Sequence, residues 1–164
     1  PLDILICATG FDAVTGALTN IDVRGRDDRS LAALWAEDVR TAMGMQVHGF
    51  PNFFLTSSPL SPAGAFCNAP TCVQHSVEWI SECIGYVLNR GAAIEATAEF
   101  EAQWVAHHDE VANTTLIAKT PSWYTGANVE GKPTRLIGYA GGVAAYVAAC
   151  DQVRDEGYAG FSIY

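Results

Sequence analysis

Basic residues are scarce in this chain. Nine Lys and Arg stand against 18 Asp and Glu in 164 residues, a formal charge of −9. A surface that neutralises phosphates needs the opposite balance, so nucleic-acid binding is excluded as a function class. An anionic small molecule is not excluded, because backbone N–H groups at a helix start bind anions without any basic side chain. No run approaches the ~20 apolar residues that span a bilayer. Asp3 and a Gly10 turn occupy the place where a secretory leader has its charged start and apolar stretch, so a cytoplasmic protein is expected. Cysteine pairs with redox or zinc spacing are also missing. Cys7, Cys67, Cys72, Cys83 and Cys150 are odd in number and include no CxxC, so they are expected to be small buried hydrophobes in a reducing compartment. GxSxG and HExxH are absent. So is GxGxxG, the turn that holds a dinucleotide pyrophosphate, and this chain therefore cannot seat a dinucleotide by itself.

Apolar residues make up 49% of the chain and charged ones 16%, which is a globular composition and not a disordered one. Residues 2–9, LDILICAT, form a nearly continuous apolar run, the pattern of a strand covered on both faces in a parallel sheet. Phe53, Phe54 and Leu55 predict a second buried strand, and residues 161–164 a terminal one. Ser30 suits the cap of a short helix around Leu31, Leu34 and Trp35. Pro70 suits the first turn of a helix that runs to Asn89 and stops at Gly91, with Val73, Val77, Ile80, Ile84 and Val87 along one side. A helix after Thr97 carries Trp104, His108, Val111 and Ala112. A last helix carries Val143, Tyr146, Val147, Cys150 and Val153 and closes at Gly157. Three strand candidates are too few for a free-standing parallel sheet, so the chain reads as the final portion of a larger doubly wound protein.

Three places can carry chemistry. Ala8-Thr9-Gly10 ends the first strand with a glycine, which permits close backbone approach to a nucleotide or is an ordinary turn. The loop 57–68 leads into the helix at Pro70, whose open N–H groups suit a negatively charged oxygen, a flavin edge included. Alternatively, Asn68 simply caps that helix. Trp123 and Lys132 lie in the polar loop PSWYTGANVEGKP, able to close over a ligand or to pin the loop to the core. His107 and His108 are adjacent on a helix and cannot chelate one metal, while His48 and His75 have no evident partners. All four histidines read as solvated or satisfied, and no metal site is expected.

Read together, DILICATGFDAVTGAL, LAALWAEDVRTAMGMQVHGFPNFFLTSSPLSP, QHSVEWI, SWYTGANVEGKP, YAGG and GYAGF resemble, in order, the C-terminal part of the Baeyer–Villiger flavin monooxygenases, closest to those acting on phenylacetone, steroids or large-ring ketones. The resemblance implies an α/β fold: the C-terminal part of a Rossmann-like, doubly wound FAD-binding domain with a helical extension, within a two-dinucleotide-domain flavoprotein. Residues 1–12 are then the end of the NADP domain and the junction strand, and residues 13–164 belong to the FAD-binding domain. It implies an enzyme that uses FAD, NADPH and O₂ to turn ketones into esters or lactones. The dinucleotide turns, the FxGxxxHxxxWP signature and the catalytic arginine would lie upstream in the same protein. On this likeness Thr9 and Gly10 belong to the family's ATG turn. Asn68, Ala69 and Pro70 meet the flavin, through the Ala69 N–H. Ala63, Gly64, Ala65, Phe66 and Cys67 border the ketone pocket, and Trp123 and Lys132 lie toward NADP. Ser58, Glu130, Ala42 and Val147 depart from the usual Gly, Pro, Tyr and Arg. The chain alone is expected to be inactive, with a binding module that has lost the chemistry, or a related flavin-dependent hydroxylase, as the alternatives.

Overall fold

The computed structural model describes residues 2–8, 10–62 and 66–164. Its elements are α1 (Gly16–Thr19), α2 (Leu31–Glu37), α3 (Ala69–Leu88), β1 (Ile94–Ala96), α4 (Ala98–Asn113), α5 (Val143–Asp155) and β2 (Phe161–Ile163), with short 3₁₀ turns at Arg26–Asp28, Ile117–Lys119 and Trp123–Thr125. Local chemistry explains the helix ends. The Ser30 side chain accepts from the Ala33 N–H at 3.3 Å, and that of Thr97 from the Phe100 N–H at 3.1 Å. Glu99 and Glu101 place negative charge in the first turn of α4, complementing the dipole. Gly91, at φ +60°, ends α3 by donating to the Leu88 carbonyl at 3.1 Å.

α3, α4 and α5 enclose the larger core, built on Trp79, Cys83, Val87, Trp104, Tyr146, Cys150 and Tyr158. Three of the large polar aromatics there also spend their polar tips. Trp79 donates to the Cys150 carbonyl at 2.9 Å, Trp104 to that of Leu60 at 3.1 Å, and the Tyr146 hydroxyl to that of Met43 at 2.7 Å. The buried face of α3 is Cys72, Ser76, Trp79, Ile80, Cys83 and Val87. Of the expected line, Ile80 and Val87 are buried, Val73 is half-buried, and Val77 and Ile84 are exposed, so the buried stripe is rotated toward Trp79. Both lines have helical spacing, and burying the larger Trp79 outweighs burying two aliphatics. A second core lies under α2, where Leu31 and Trp35 meet Val39, Val47, Phe50 and Leu55.

Between the two cores runs an irregular segment, residues 38–62, in which Thr41, Ala42, Met43, Met45, Gln46 and Val47 are fully buried. Irregular backbone at that depth must find partners for its polar groups. Ala42 donates to Gln46 at 2.7 Å, Leu55 to Met45 at 2.9 Å, and the Thr41 hydroxyl to the Pro59 carbonyl at 2.8 Å. Gly44 sits at φ +68°, where an added Cβ would come within 2.4 Å of the Ser61 Cβ. Two buried carboxylates add longer ties, Glu101 to the segment itself and Glu95 between the turn at Arg26 and the chain's last residue. Glu101 accepts from Arg40 Nε and from the His48 N–H, both at 2.9 Å, and Glu95 from Arg26 Nε at 2.6 Å and the Tyr164 hydroxyl at 3.1 Å.

The sheet departs from expectation. Among the described residues it has two strands, β1 and β2, paired antiparallel with Ile94 opposite Ile163 and Ala96 opposite Phe161. The terminal strand is where the sequence predicts it, but its partner at 94–96 carried no signal beyond three residues. Residues 53–55 form no strand. Residues 2–8 form no strand either, so the junction strand is not formed within this chain, and Leu2, Ile4, Leu5 and Ile6 are 78–85% exposed. The reason is physical: a strand exists only by pairing, and no described segment lies beside this one to pair with it. No helix among the described residues is long and apolar enough to cross a membrane.

Candidate functional site

Three stretches meet at one end of α3. The helix itself begins in the open. Asn68, Ala69, Pro70 and Thr71 are exposed, and Asn68 has an extended backbone with no side-chain cap bond. Its carbonyl takes the Cys72 N–H at 3.2 Å, while the N–H groups of Ala69 and Thr71 meet no acceptor among the described residues. A 20-residue helix thus points two open donors and the positive end of its dipole outward. Asn68 leaves its side chain uncommitted, so simple capping does not account for it.

The loop before the helix is anchored upstream. Ser58 donates its hydroxyl to the Gly44 carbonyl at 2.6 Å, and Ser61 to that of Ser58 at 2.8 Å. Ala63, Gly64 and Ala65 lie outside the described residues, as does Thr9. Cys67 and Cys72 are joined in a disulfide across the helix start. This corrects the expectation of five buried thiols: a pair five residues apart that straddles a helix cap comes within bonding reach although it is no CxxC. Cys83 and Cys150 do fit that expectation, with burial pushing each thiol up to about 12, whereas Cys7 is exposed.

The Trp123 loop is built by its own turn. Ser122 and Thr125 form a reciprocal capping box around the 3₁₀ turn, with Thr125 buried and Gly126 at φ +76° turning the chain away. Trp123 is 44% exposed and stacks on Tyr124 with ring centroids 3.7 Å apart. Tyr124 in turn receives the edge of Phe66 at 6.0 Å. Lys132 points inward: it pairs with Asp12, and its side chain is only 9% exposed. Asp12 also accepts from the Thr15 hydroxyl at 3.2 Å, and Gly16 makes room for it, since a Cβ there would lie 2.7 Å from the Asp12 Cβ. Asn128 donates to the Phe11 carbonyl at 3.2 Å. These contacts hold the loop against the segment after Gly10. Together Ala8, Gly10, Phe11, Ala13, Trp123 and Asn128 line an apolar recess of about 460 Å³. Gly10 has φ +84° with open space where a Cβ would be, so backbone conformation and not crowding calls for glycine there.

What ties the loops together is a stretch the sequence reading passed over, residues 135–139. Arg135 donates its N–H to Thr125 at 3.1 Å and Ile137 to Tyr124 at 2.8 Å. Leu60 donates to Ile137 at 2.7 Å and Tyr139 to Ser61 at 2.9 Å. One segment therefore bonds to both candidate loops. The Arg135 side chain reaches Asp38 at 2.5 Å and Asp109 at 3.1 Å, fixing the segment to α4. The run Leu136-Ile137-Gly138-Tyr139 was its only signal. Phe66 was read as pocket lining, and its contact with Tyr124 has no sequence signature.

The histidines find partners that sequence spacing hides. His48 donates from Nδ1 to the Ala96 carbonyl at 3.0 Å, and His107 Nε2 lies 2.9 Å from the Tyr139 hydroxyl. His108 is fully buried, with burial lowering its pKa against the opposing pull of Asp109. The Nε2 of His75 is buried with no hydrogen-bond partner among the described residues. Among the described residues no three His, Cys, Asp or Glu side chains cluster as a metal site would require.

No protein-family profile matches the chain. Individual relatives do. The acetone monooxygenase (methyl acetate-forming) of Gordonia sp. (strain TY-5) is 55% identical over 163 residues, 99% of this chain and 31% of that protein. The cyclohexanone 1,2-monooxygenase of Acinetobacter sp is 39% identical over 99% of this chain and 30% of its own length. A phenazine N-monooxygenase of Lysobacter antibioticus is 38% identical over the same share of each. The chain thus spans about 30% of the length of these relatives. Among solved structures, a closed cyclohexanone monooxygenase superposes with a TM-score of 0.91 at 40% identity, over 96% of this chain and 29% of that one. An oxidised steroid monooxygenase bound to NADP gives 0.85 at 37%, over 94% and 29%. The irregular architecture described above is therefore that of a part of these larger folds.

Proposed function

Because the chain belongs to the Baeyer–Villiger flavin monooxygenases, matching the C-terminal portion of its relatives, we propose that it forms one wall of the flavin and ketone site of an enzyme converting ketones to esters or lactones with NADPH and O₂. The observation that carries this reading is the exposed start of α3, with the Ala69 and Thr71 donors open, inside a chain aligned along 99% of its length with an acetone monooxygenase. FAD, when bound, supplies the redox and oxygen-transfer chemistry. The chain's own residues bind and orient. Ala69 and Thr71 offer N–H groups to the electron-rich edge of the ring, and negative charge there gains from the helix dipole. Asn68 and Pro70 shape that approach. Gly10, with Thr9, lets backbone come close to the nucleotide, while Trp123 closes the apolar recess on the NADP side with Lys132 bracing its loop through Asp12. Phe66 and Cys67, with Ala63, Gly64 and Ala65, border the substrate.

In the same reading residues 1–12 end an NADP domain, residues 13–164 continue an FAD domain, and the enzyme is cytoplasmic, where NADPH is supplied. The relatives are named for acetone, cyclohexanone and phenazine substrates, so this part of the protein is compatible with small, cyclic and aromatic ones. The test compares the product of the complete reading frame with the isolated 164 residues. The former is expected to purify with about one FAD and to oxidise NADPH in a ketone-dependent way. The latter is expected to carry no flavin and show no turnover. An isolated chain with stoichiometric flavin and NADPH oxidation overturns the reading, as does a complete product that never binds FAD.

A further inference from the structure

We propose that Arg135 is a positioning residue whose forked guanidinium holds the Trp123 turn in register with segment 135–139. Only its consequence for nucleotide binding rests on the function proposed above; the holding itself does not. The segment makes four backbone bonds, two on each side. On one side the N–H groups of Arg135 and Ile137 donate to the carbonyls of Thr125 and Tyr124, in the Trp123 turn. On the other side the Ile137 carbonyl accepts from Leu60, and Tyr139 donates to Ser61. The two ends of the segment are fixed differently. The far end is fastened to α4. There His107 Nε2 lies 2.9 Å from the Tyr139 hydroxyl, His108 Nε2 lies 3.3 Å from the Gly138 carbonyl, and the Tyr139 ring stacks on Trp104 at 5.3 Å. At the near end Leu136 is buried, but apolar packing carries no direction. Direction there comes from Arg135.

The side chain is built into that place. Nη1 donates to Asp38 Oδ1 at 2.5 Å and to the Val39 carbonyl at 2.7 Å. Nε and Nη2 grip the two carboxylate oxygens of Asp109, each at 3.1 Å. The end of α2, the middle of α4 and segment 135–139 thus converge on one planar group, and a bidentate pair fixes orientation as well as distance. The Arg135 side chain is 20% exposed, so solvent screens these pairs only in part. A lysine, as a point charge on a flexible stem, cannot reproduce the fork. The two sides of the segment therefore fail separately. Without the guanidinium the bonds from Arg135 and Ile137 to the Trp123 turn loosen, while Leu60 and Tyr139 keep theirs. Trp123 then loses its fixed place in the recess it lines with Gly10 and Phe11.

The test uses the product of the complete reading frame with its Arg135→Gln and Arg135→Lys variants. Amide exchange is read at single residues by mass spectrometry. In Arg135→Gln it is expected to be at least about fivefold faster at Ile137 and within about twofold of wild type at Leu60 and Tyr139. Arg135→Lys is expected to show the same asymmetry to a smaller degree. Equal acceleration at all three amides, in step with a lower urea midpoint, would make the role merely structural and overturns the proposal. So does an unchanged Ile137, or a lysine variant indistinguishable from wild type. If Arg135→Gln does not fold, the comparison of Arg135→Lys with wild type decides. For the site, the NADP⁺ dissociation constant is expected to rise at least about threefold in Arg135→Gln at unchanged FAD content, because a loosened Trp123 must be ordered again on binding. Unchanged NADP⁺ affinity beside the exchange asymmetry overturns the positioning role. A wild-type product that takes up neither FAD nor NADP⁺ removes the function proposed above and leaves the exchange asymmetry to decide this inference.

Discussion

His108 shows how a single side chain couples to its surroundings. It is fully buried on α4, with Nδ1 3.3 Å from Asp109 and Nε2 3.3 Å from the Gly138 carbonyl. Both long contacts favour the cation, yet burial wins and lowers the pKa. The folded chain then binds this proton less readily than the unfolded one. Its contribution is complete above the ordinary imidazole value of about 6.5 and is lost as pH falls below it. Urea midpoints measured at pH 7.5 and pH 5.5 are expected to drop with acid in the wild type and to drop less in His108→Gln. An equal drop in both would place the acid sensitivity elsewhere. Residue types were informative where chemistry is local: Ser30, Thr97, Gly91 and Gly157 mark helix ends as their capping chemistry requires. They were silent on pairing at a distance. Nothing in the order of residues connects Lys132 to Asp12 or Cys67 to Cys72.

At the scale of elements, β1 depends on a side chain for part of its pairing. Gln46 accepts the Ala96 N–H at 2.8 Å and donates to the Ile94 carbonyl at 3.4 Å, standing in for a third strand. It is completely buried, so Gln46→Leu leaves the Ala96 N–H without its acceptor, while the Ile94 carbonyl keeps the Asn52 N–H at 2.9 Å, at a cost of about 1–3 kcal/mol. Chemical denaturation is expected to report that loss. Amide exchange is expected to accelerate at Ala96 in particular, and an unchanged midpoint would mean the edge is satisfied some other way. The helices α2 to α5 were legible because each carries an apolar line at 3.6-residue spacing and a cap. The strands were not. β1 is three residues long, and residues 53–55 look like a strand because they are apolar, although their backbone bonds go to a loop. The buried segment 38–62 has no periodicity to read, since its polar groups are satisfied one by one.

The whole molecule leaves an apolar strip uncovered. Leu2, Ile4, Leu5, Ile6 and Phe11 are each more than three-quarters exposed, which is unusual for so many neighbouring large hydrophobes. The isolated chain is expected to self-associate through this strip. Sedimentation velocity should show association falling markedly in Leu2→Ser/Ile4→Ser/Ile6→Ser, while stability changes by no more than about 0.5 kcal/mol because these side chains bury nothing. Association unaffected by the triple substitution would assign it to another surface.

By itself the sequence determined the four longer helices, the Ser30 and Thr97 caps, some of the aromatic core positions (Trp35, Trp104 and Tyr146), and, through six ordered segments, the family. All of these rest on chemistry within a few residues or on motifs carried whole. The tertiary structure decided the rest: that residues 2–8 find no strand partner here, that α3 buries its Trp79 line, that Lys132 is spent on Asp12, and that segment 135–139 binds the two candidate loops. Hydrogen bonds and ion pairs between distant residues are chosen by how the chain is folded back on itself, and no local pattern encodes that choice.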